Sequence, residues 1–213
     1  MKPAIRIPVS LAAIIFLCVF PHYSGSPLIY VPAGIVVCWL YLTLTGNSFA
    51  TTGFRFRALN FSSFYIGGFA GGVYAFLQLL FIGPFFDRIS GQQDRFTAFD
   101  YIRNSLPNYL FLLALAWLVV IPYEEIVFRG FILPRIGEMF LPKYRAAAAT
   151  LLSCVLFALY HIQEGISAVM SIFIFSLVIT WLYRRARYNL WYAIFFHAVY
   201  DTVLLTAIRT GKL

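Results

Sequence analysis

An all-α polytopic membrane protein, a bundle of about seven transmembrane helices with eight as the upper count, is the fold class this sequence predicts. Three observations lead there. Of 213 residues, 62% are hydrophobic and 11% charged, where a soluble domain carries about 25% charged residues. Mean hydropathy is +0.83, and apolar runs recur from end to end at lengths that suit a bilayer. The basic residues lie between those runs and form no face or tail. The chain therefore reads as one membrane-embedded domain over residues 1–213, with no sizeable soluble part.

The first run, residues 5–20, follows Lys2 and Arg6 and resembles a signal peptide, with Ser-Gly-Ser after it as a weak cleavage site. The second run, residues 28–45, starts almost at once, which favours an uncleaved first span. The third run, residues 63–85, carries Gly67, Gly68, Gly71 and Gly72 as two overlapping GxxxG patterns. These predict close helix packing and leave a homodimer open. The fourth run extends from residue 107 through the Glu124 region to about residue 137, with Pro134 a point where the helix can break. Residues 146–162, 166–183 and 190–208 complete seven, and residues 86–105 would supply an eighth.

Charge tests the layout. A cytoplasmic N-terminus places Lys2, Arg6, Arg55, Arg57, Arg129, Arg135, Lys143, Arg145, Arg184, Arg185 and Arg187 on that side. Arg88, Arg95, Arg103, Arg209 and Lys212 fall on the other, so the 16 basic residues divide eleven against five. That asymmetry predicts N-in and C-out, and it assigns the net charge of +8 to topology, not to nucleic acid. Cys18, Cys38 and Cys154 sit inside apolar runs without metal-ligand spacing, so they read as packing residues. The sequon Asn60-Phe61-Ser62 falls on the cytoplasmic side, where it would not be glycosylated.

Function is sought in the polar residues that membrane depth disfavours. The run WLVVIPYEEIVFRGFIL holds Glu124, Glu125 and Arg129, each costing upwards of roughly 2.5 kcal/mol at a helix centre. His161, His197 and Asp201 are the other ionisable groups inside runs, while Asp87, Asp94, Asp100, Glu138 and Glu164 fall in loops or at span ends. On a helix, Glu125 and Arg129 share a face in the favourable order for an ion pair. Glu124 lies about 100° around and is left to face a cavity. A structural ion pair explains this cluster equally well when it is taken alone. Phe157 and His161 share a face, and a lone histidine in a membrane commonly donates between helices. His197 and Asp201 are again four apart: a structural hydrogen bond, a proton relay or an oriented catalytic imidazole. Helix rise places Glu124, His161 and His197 about 20, 22 and 14 Å from their cytoplasmic ends, close enough in level for one shared site.

Taken together, these residues resemble the CAAX-protease and bacteriocin-processing family of intramembrane proteases. That family is marked by EExxxR, then FxxxH, then a histidine four residues before Asn or Asp. Here these are Glu124-Glu125-Ile-Val-Phe-Arg129, Phe157-Ala-Leu-Tyr-His161 and His197-Ala-Val-Tyr-Asp201. The resemblance covers residues 107–208, a catalytic core region, and leaves the first three spans as membrane context. It implies hydrolysis of peptide bonds in membrane-associated or lipidated peptides and proteins. It also implies that Glu124 and His161 activate water while His197 and Asp201 stabilise the oxyanion. Glu125 and Arg129 are expected to lock the helix, with Phe157 in support. Many relatives have Asn where Asp201 stands. An ionised aspartate cannot donate to an oxyanion, so Asp201 is expected either to stay protonated in the apolar site or, the preferred reading, to orient His197 and make it a better cationic donor.

Glu124, His161 and His197 would make a three-ligand zinc site with an open position. HExxH is absent, and the resemblance favours a metal-free, glutamate-dependent reaction. The compact chain reads as a bacterial inner-membrane protein. Two other classes remain: a small transporter or proton-coupled channel, and a non-proteolytic scaffold or immunity-type protein. No repeat of the kind transporters show is visible, and the complete motif set argues for retained chemistry.

Overall fold

The structure, a computed structural model, describes residues 3–91 and 96–212. Lys2, Asp94 and Arg95, which the sequence reading assigns to a terminus and a loop, lie outside the described residues. Among the described residues seven helical rods follow one another: α1 (Pro3–Ser24), α2 (Pro27–Leu44), α3 (Phe61–Ser90), α4 (Leu106–Glu138), α5 (Pro142–Leu159), α6 (Ile166–Arg185) and α7 (Leu190–Arg209). No strand occurs among the described residues. Six of the rods are long and apolar enough to cross a membrane. The exception is α5, whose first turn, Pro-Lys-Tyr-Arg, places Lys143 and Arg145 within its 18 residues. Among the described residues of the stretch 86–105 there is no eighth rod. They hold the end of α3 and a 3-10 turn at Phe96–Ile102.

Prolines explain why α3 and α4 continue where they might have stopped. A proline ring inside a helix clashes with the carbonyl four residues earlier. Widening the preceding turn to the i→i+5 pattern relieves that clash. Such π turns occur at Gln78–Ile82, Ala116–Val120 and Ile126–Ile132. Each ends just before a proline: Pro84, Pro122 and Pro134. Pro134 therefore does not end α4, which runs on to Glu138.

The glycines of α3 serve packing within the chain. A Cβ on Gly71 would overlap the carbonyl of Phe196 on α7, and one on Gly68 would lie 3.2 Å from Val199. Only a residue without a side chain lets these backbones approach so closely. That approach seats the α7 segment carrying His197, and it covers the face that a GxxxG-mediated dimer would need. Asn60 is engaged as well. Its side chain accepts from the Ser63 amide at 2.8 Å and caps α3.

One core runs through the bundle, and it includes Ile14 and Leu17 of α1, Cys38 and Tyr41 of α2, Phe128 and Phe131 of α4, Phe157 of α5, Phe175 of α6 and Phe196 of α7. The first rod is thus packed into the bundle. Ser10 also shares a 2.6 Å hydrogen bond with Tyr41. The three cysteines are free thiols, with Cys38 and Cys154 buried.

Candidate active site

The three motifs meet. Glu124 and Glu125 come from α4, in the short helical stretch between two π turns. His197 comes from the middle of α7. Adjacent helical positions point about 100° apart, and the two glutamates use that divergence to bracket one imidazole. Glu125 Oε1 accepts from His197 Nδ1 at 2.8 Å, while Glu124 Oε2 lies 3.9 Å from Nε2.

The Nδ1 side is sealed. The Glu125 side chain has no solvent exposure, and that of Arg129 has 1%. Arg129 Nη1 donates to Glu125 Oε1 at 3.2 Å, and Nη2 donates to Ser176 Oγ on α6 at 3.1 Å. The guanidinium carbon lies 4.1 Å above the Phe157 ring, a cation–π contact in a desolvated setting. Phe157 in turn meets the rings of His161 and His197 edge-on, with centroids 4.9 and 6.1 Å apart. Arg129 and Phe157 thus tie together the helices that carry the motifs. A buried pair of this kind holds only while both partners are present.

The Nε2 side opens into a cavity of about 590 Å³, lined in part by Glu124, His161, His197 and Asp201. All seven rods contribute to its wall. Pro21 and Tyr30 come from α1 and α2, which the sequence reading left as context. Asp201 Oδ1 lies 3.6 Å from His197 Nε2. That exceeds a hydrogen-bond length but lies within ion-pair range of the ring.

The residue within hydrogen-bond distance of His197 is thus Glu125, whereas Asp201, expected to orient the ring, stands 3.6 Å away. The reason is spatial. Asp201 follows His197 by one helical turn and meets the ring from the cavity, whereas Glu125 arrives from another helix at the opposite nitrogen. Glu125 accordingly does more than lock its own helix.

His161 also differs from its expected setting. The sequence reading places it within the fifth span, but α5 ends at Leu159 and His161 occupies the turn that follows. The link to Phe157 survives, because His161 Nδ1 donates to the Phe157 carbonyl at 2.9 Å. A carbonyl only accepts, so this bond fixes the proton on Nδ1 and leaves Nε2 with a lone pair. Glu164, assigned to a loop, lies in the next turn and lines the cavity. Burial raises its carboxyl above the ordinary range, and His161 opposes that shift.

Several polar residues of the cavity escaped the sequence reading, Gln78 of α3 and Ser171 of α6 among them. A search confined to ionisable groups passes over both. The available signal was a carboxamide inside the apolar run Phe-Leu-Gln-Leu-Leu. Among the described residues, no group of three or more His, Cys, Asp or Glu is arranged to hold a metal ion.

Residues 106–203 match the family described as type II CAAX prenyl endopeptidase Rce1-like. This segment contains all three motifs and excludes α1 to α3. No curated protein and no solved structure matches the chain.

Proposed function

We propose that the chain, whose residues 106–203 match the Rce1-like family of CAAX endopeptidases, hydrolyses peptide bonds of membrane-anchored substrates with a water held by Glu124 and His161. The observation that carries this reading is the arrangement around His197: one nitrogen sealed by Glu125, the other facing Glu124 across 3.9 Å of cavity. The proposed location is the bacterial inner membrane.

In this reaction Glu124 takes a proton from water, whose second hydrogen is held by His161 Nε2. The water oxygen attacks the scissile carbonyl carbon, and the carbonyl electron pair moves onto oxygen. His197, protonated on both nitrogens, donates from Nε2 to that oxyanion. Such a donor is worth about 3–4 kcal/mol when preorganised. Glu124 then passes its proton to the departing nitrogen, the oxyanion's electron pair re-forms the carbonyl as the C–N bond breaks, and the new carboxyl group gives its remaining proton to His161 Nε2, so that a carboxylate and an amine leave. Asp201 stands beside Nε2 and balances the charge of the imidazolium.

The same donors could be recruited by zinc, with Glu124, His161 and His197 as ligands. The metal-free route is the one proposed; a zinc ion on His197 Nε2 would leave the Nδ1 bond to Glu125 in place, so chelation is what separates the two routes. No step above requires a metal.

The test is hydrolysis itself. Purified protein in proteoliposomes is given a farnesylated peptide ending in Cys-Val-Val-Met, and separately a single-span peptide without lipid, in water enriched with oxygen-18. Endoproteolysis predicts products whose new carboxylate carries one heavy oxygen. A transporter or scaffold would leave both peptides intact. Cleavage of one peptide and not the other assigns the substrate class.

A further inference from the structure

Gln78 opens the π turn of α3 and is 8% exposed, and its Oε1 is buried without a hydrogen-bond partner among the described residues. Ser171 of α6 is 2% exposed, and its Oγ is in the same condition. Both line the cavity that holds Glu124 and His197. Folding does not account for them. A buried polar atom left unpaired is destabilising, and an apolar side chain would pack there without that cost.

We propose that Gln78 and Ser171 bind the main chain of the substrate beside the scissile bond. The proposal rests on the proteolytic reading above and adds a recognition element to it. For Glu124 to reach a peptide carbonyl, a membrane segment must leave its helical conformation. Its amide and carbonyl groups then lose their internal partners in a medium that offers little water. A carboxamide presents one acceptor and two donors in a plane, the same pattern as a peptide group, and a hydroxyl offers both roles. Two such groups on one cavity wall replace the lost bonds without reading side chains. The ligand class is therefore an extended, apolar peptide backbone, chosen for its readiness to unwind. Neither residue moves a proton. Gln78 lies outside the segment that matches the family, so the first three rods supply part of the substrate site and not only a wall.

The experiment compares wild type, Gln78→Leu and Ser171→Ala in proteoliposomes. The probe is the farnesylated Cys-Val-Val-Met peptide, and its analogues have single backbone amides near the cleaved bond replaced by esters. The expected result is a KM raised about ten-fold per lost hydrogen bond, a kcat nearly unchanged, and a thermal midpoint equal to or above that of wild type. One ester analogue should bind wild type as weakly as the parent peptide binds Gln78→Leu, with no further loss in the combination. Where turnover of the probe is too slow to follow, its Kd in the Glu124→Gln background gives the same comparison. Unchanged KM and Kd in both variants would overturn the proposal, as would a lowered thermal midpoint with unaltered binding. Cleavage that persists in Glu124→Gln would instead defeat the proteolytic reading. Glu124-dependent cleavage indifferent to Gln78 and Ser171 defeats only this one.

Discussion

On the Nδ1 side of His197, Glu125 is sealed among Arg129, Phe157 and Ser176 and touches the imidazole at hydrogen-bond distance. On the Nε2 side, Glu124 and Asp201 stand 3.9 and 3.6 Å away across an open cavity. The two glutamates are chemically identical and adjacent in sequence. Only the face each occupies distinguishes a carboxylate that holds the site together from one available to a reacting molecule. Charge makes the division sharper: Glu125 is neutralised by Arg129, whereas Glu124 has no basic partner of permanent charge among the ion pairs of the described residues. Residue type alone therefore does not assign a role in such a site; the direction of approach to the imidazole does.

Substitutions on the two sides should fail differently. The largest stability effect is expected at Glu125→Ala, which strands the Arg129 guanidinium inside the bundle and should cost about 3–5 kcal/mol in denaturant unfolding. Replacing both residues, as in Glu125→Ala with Arg129→Met, should recover much of that loss while leaving His197 unheld and cleavage impaired. Next comes Gly71→Ala, which forces α3 away from the α7 backbone beside His197. Overpacking of this kind costs about 1–3 kcal/mol and should appear as a lower thermal midpoint together with slower cleavage.

Asp201→Asn should alter cleavage by less than about ten-fold, since no hydrogen bond to His197 is lost at 3.6 Å. A loss comparable to that of a general base would return Asp201 to the chemistry. Exhaustive chelation should leave cleavage unaffected, and restoration by added zinc would refute the metal-free route. The smallest effect concerns Glu164 on the cavity side. Burial raises its folded-state pKa above the usual 4.5, so the folded state holds the proton more tightly than the unfolded chain. Its contribution to stability then falls as pH rises through that range. Glu164→Gln should flatten this part of the stability–pH profile.

Much of this architecture could be read in the chain. Apolar runs gave the rods to within a few residues, because membrane spans are set by length and hydropathy, both local properties. The motif spacings also revealed which residues mattered: Glu125 with Arg129, Phe157 with His161 and His197 with Asp201 are all one helical turn apart. What stayed hidden was pairing between rods. Nothing in the spacing of positions 125 and 197 says that Glu125 reaches His197 Nδ1, and the nearer Asp201 therefore drew the orienting role. The fourth run was extended to about residue 137, but the π turn that carries α4 past Pro134 was out of reach, since it has no sequence mark of its own. Gln78 was overlooked for another reason. It carries no charge, and its unpaired carboxamide becomes informative only when the cavity beside it is known.

Glu124→Gln is the most direct trial of the whole account, because it removes a base from the cavity side while preserving shape and leaving the sealed side untouched. Cleavage of the peptide that wild type hydrolyses should fall by roughly 100- to 10,000-fold, with the helical signal and thermal midpoint retained. Wild-type cleavage by that variant, or loss of cleavage that merely follows loss of folding, would contradict the assignment of Glu124 as the group that activates water.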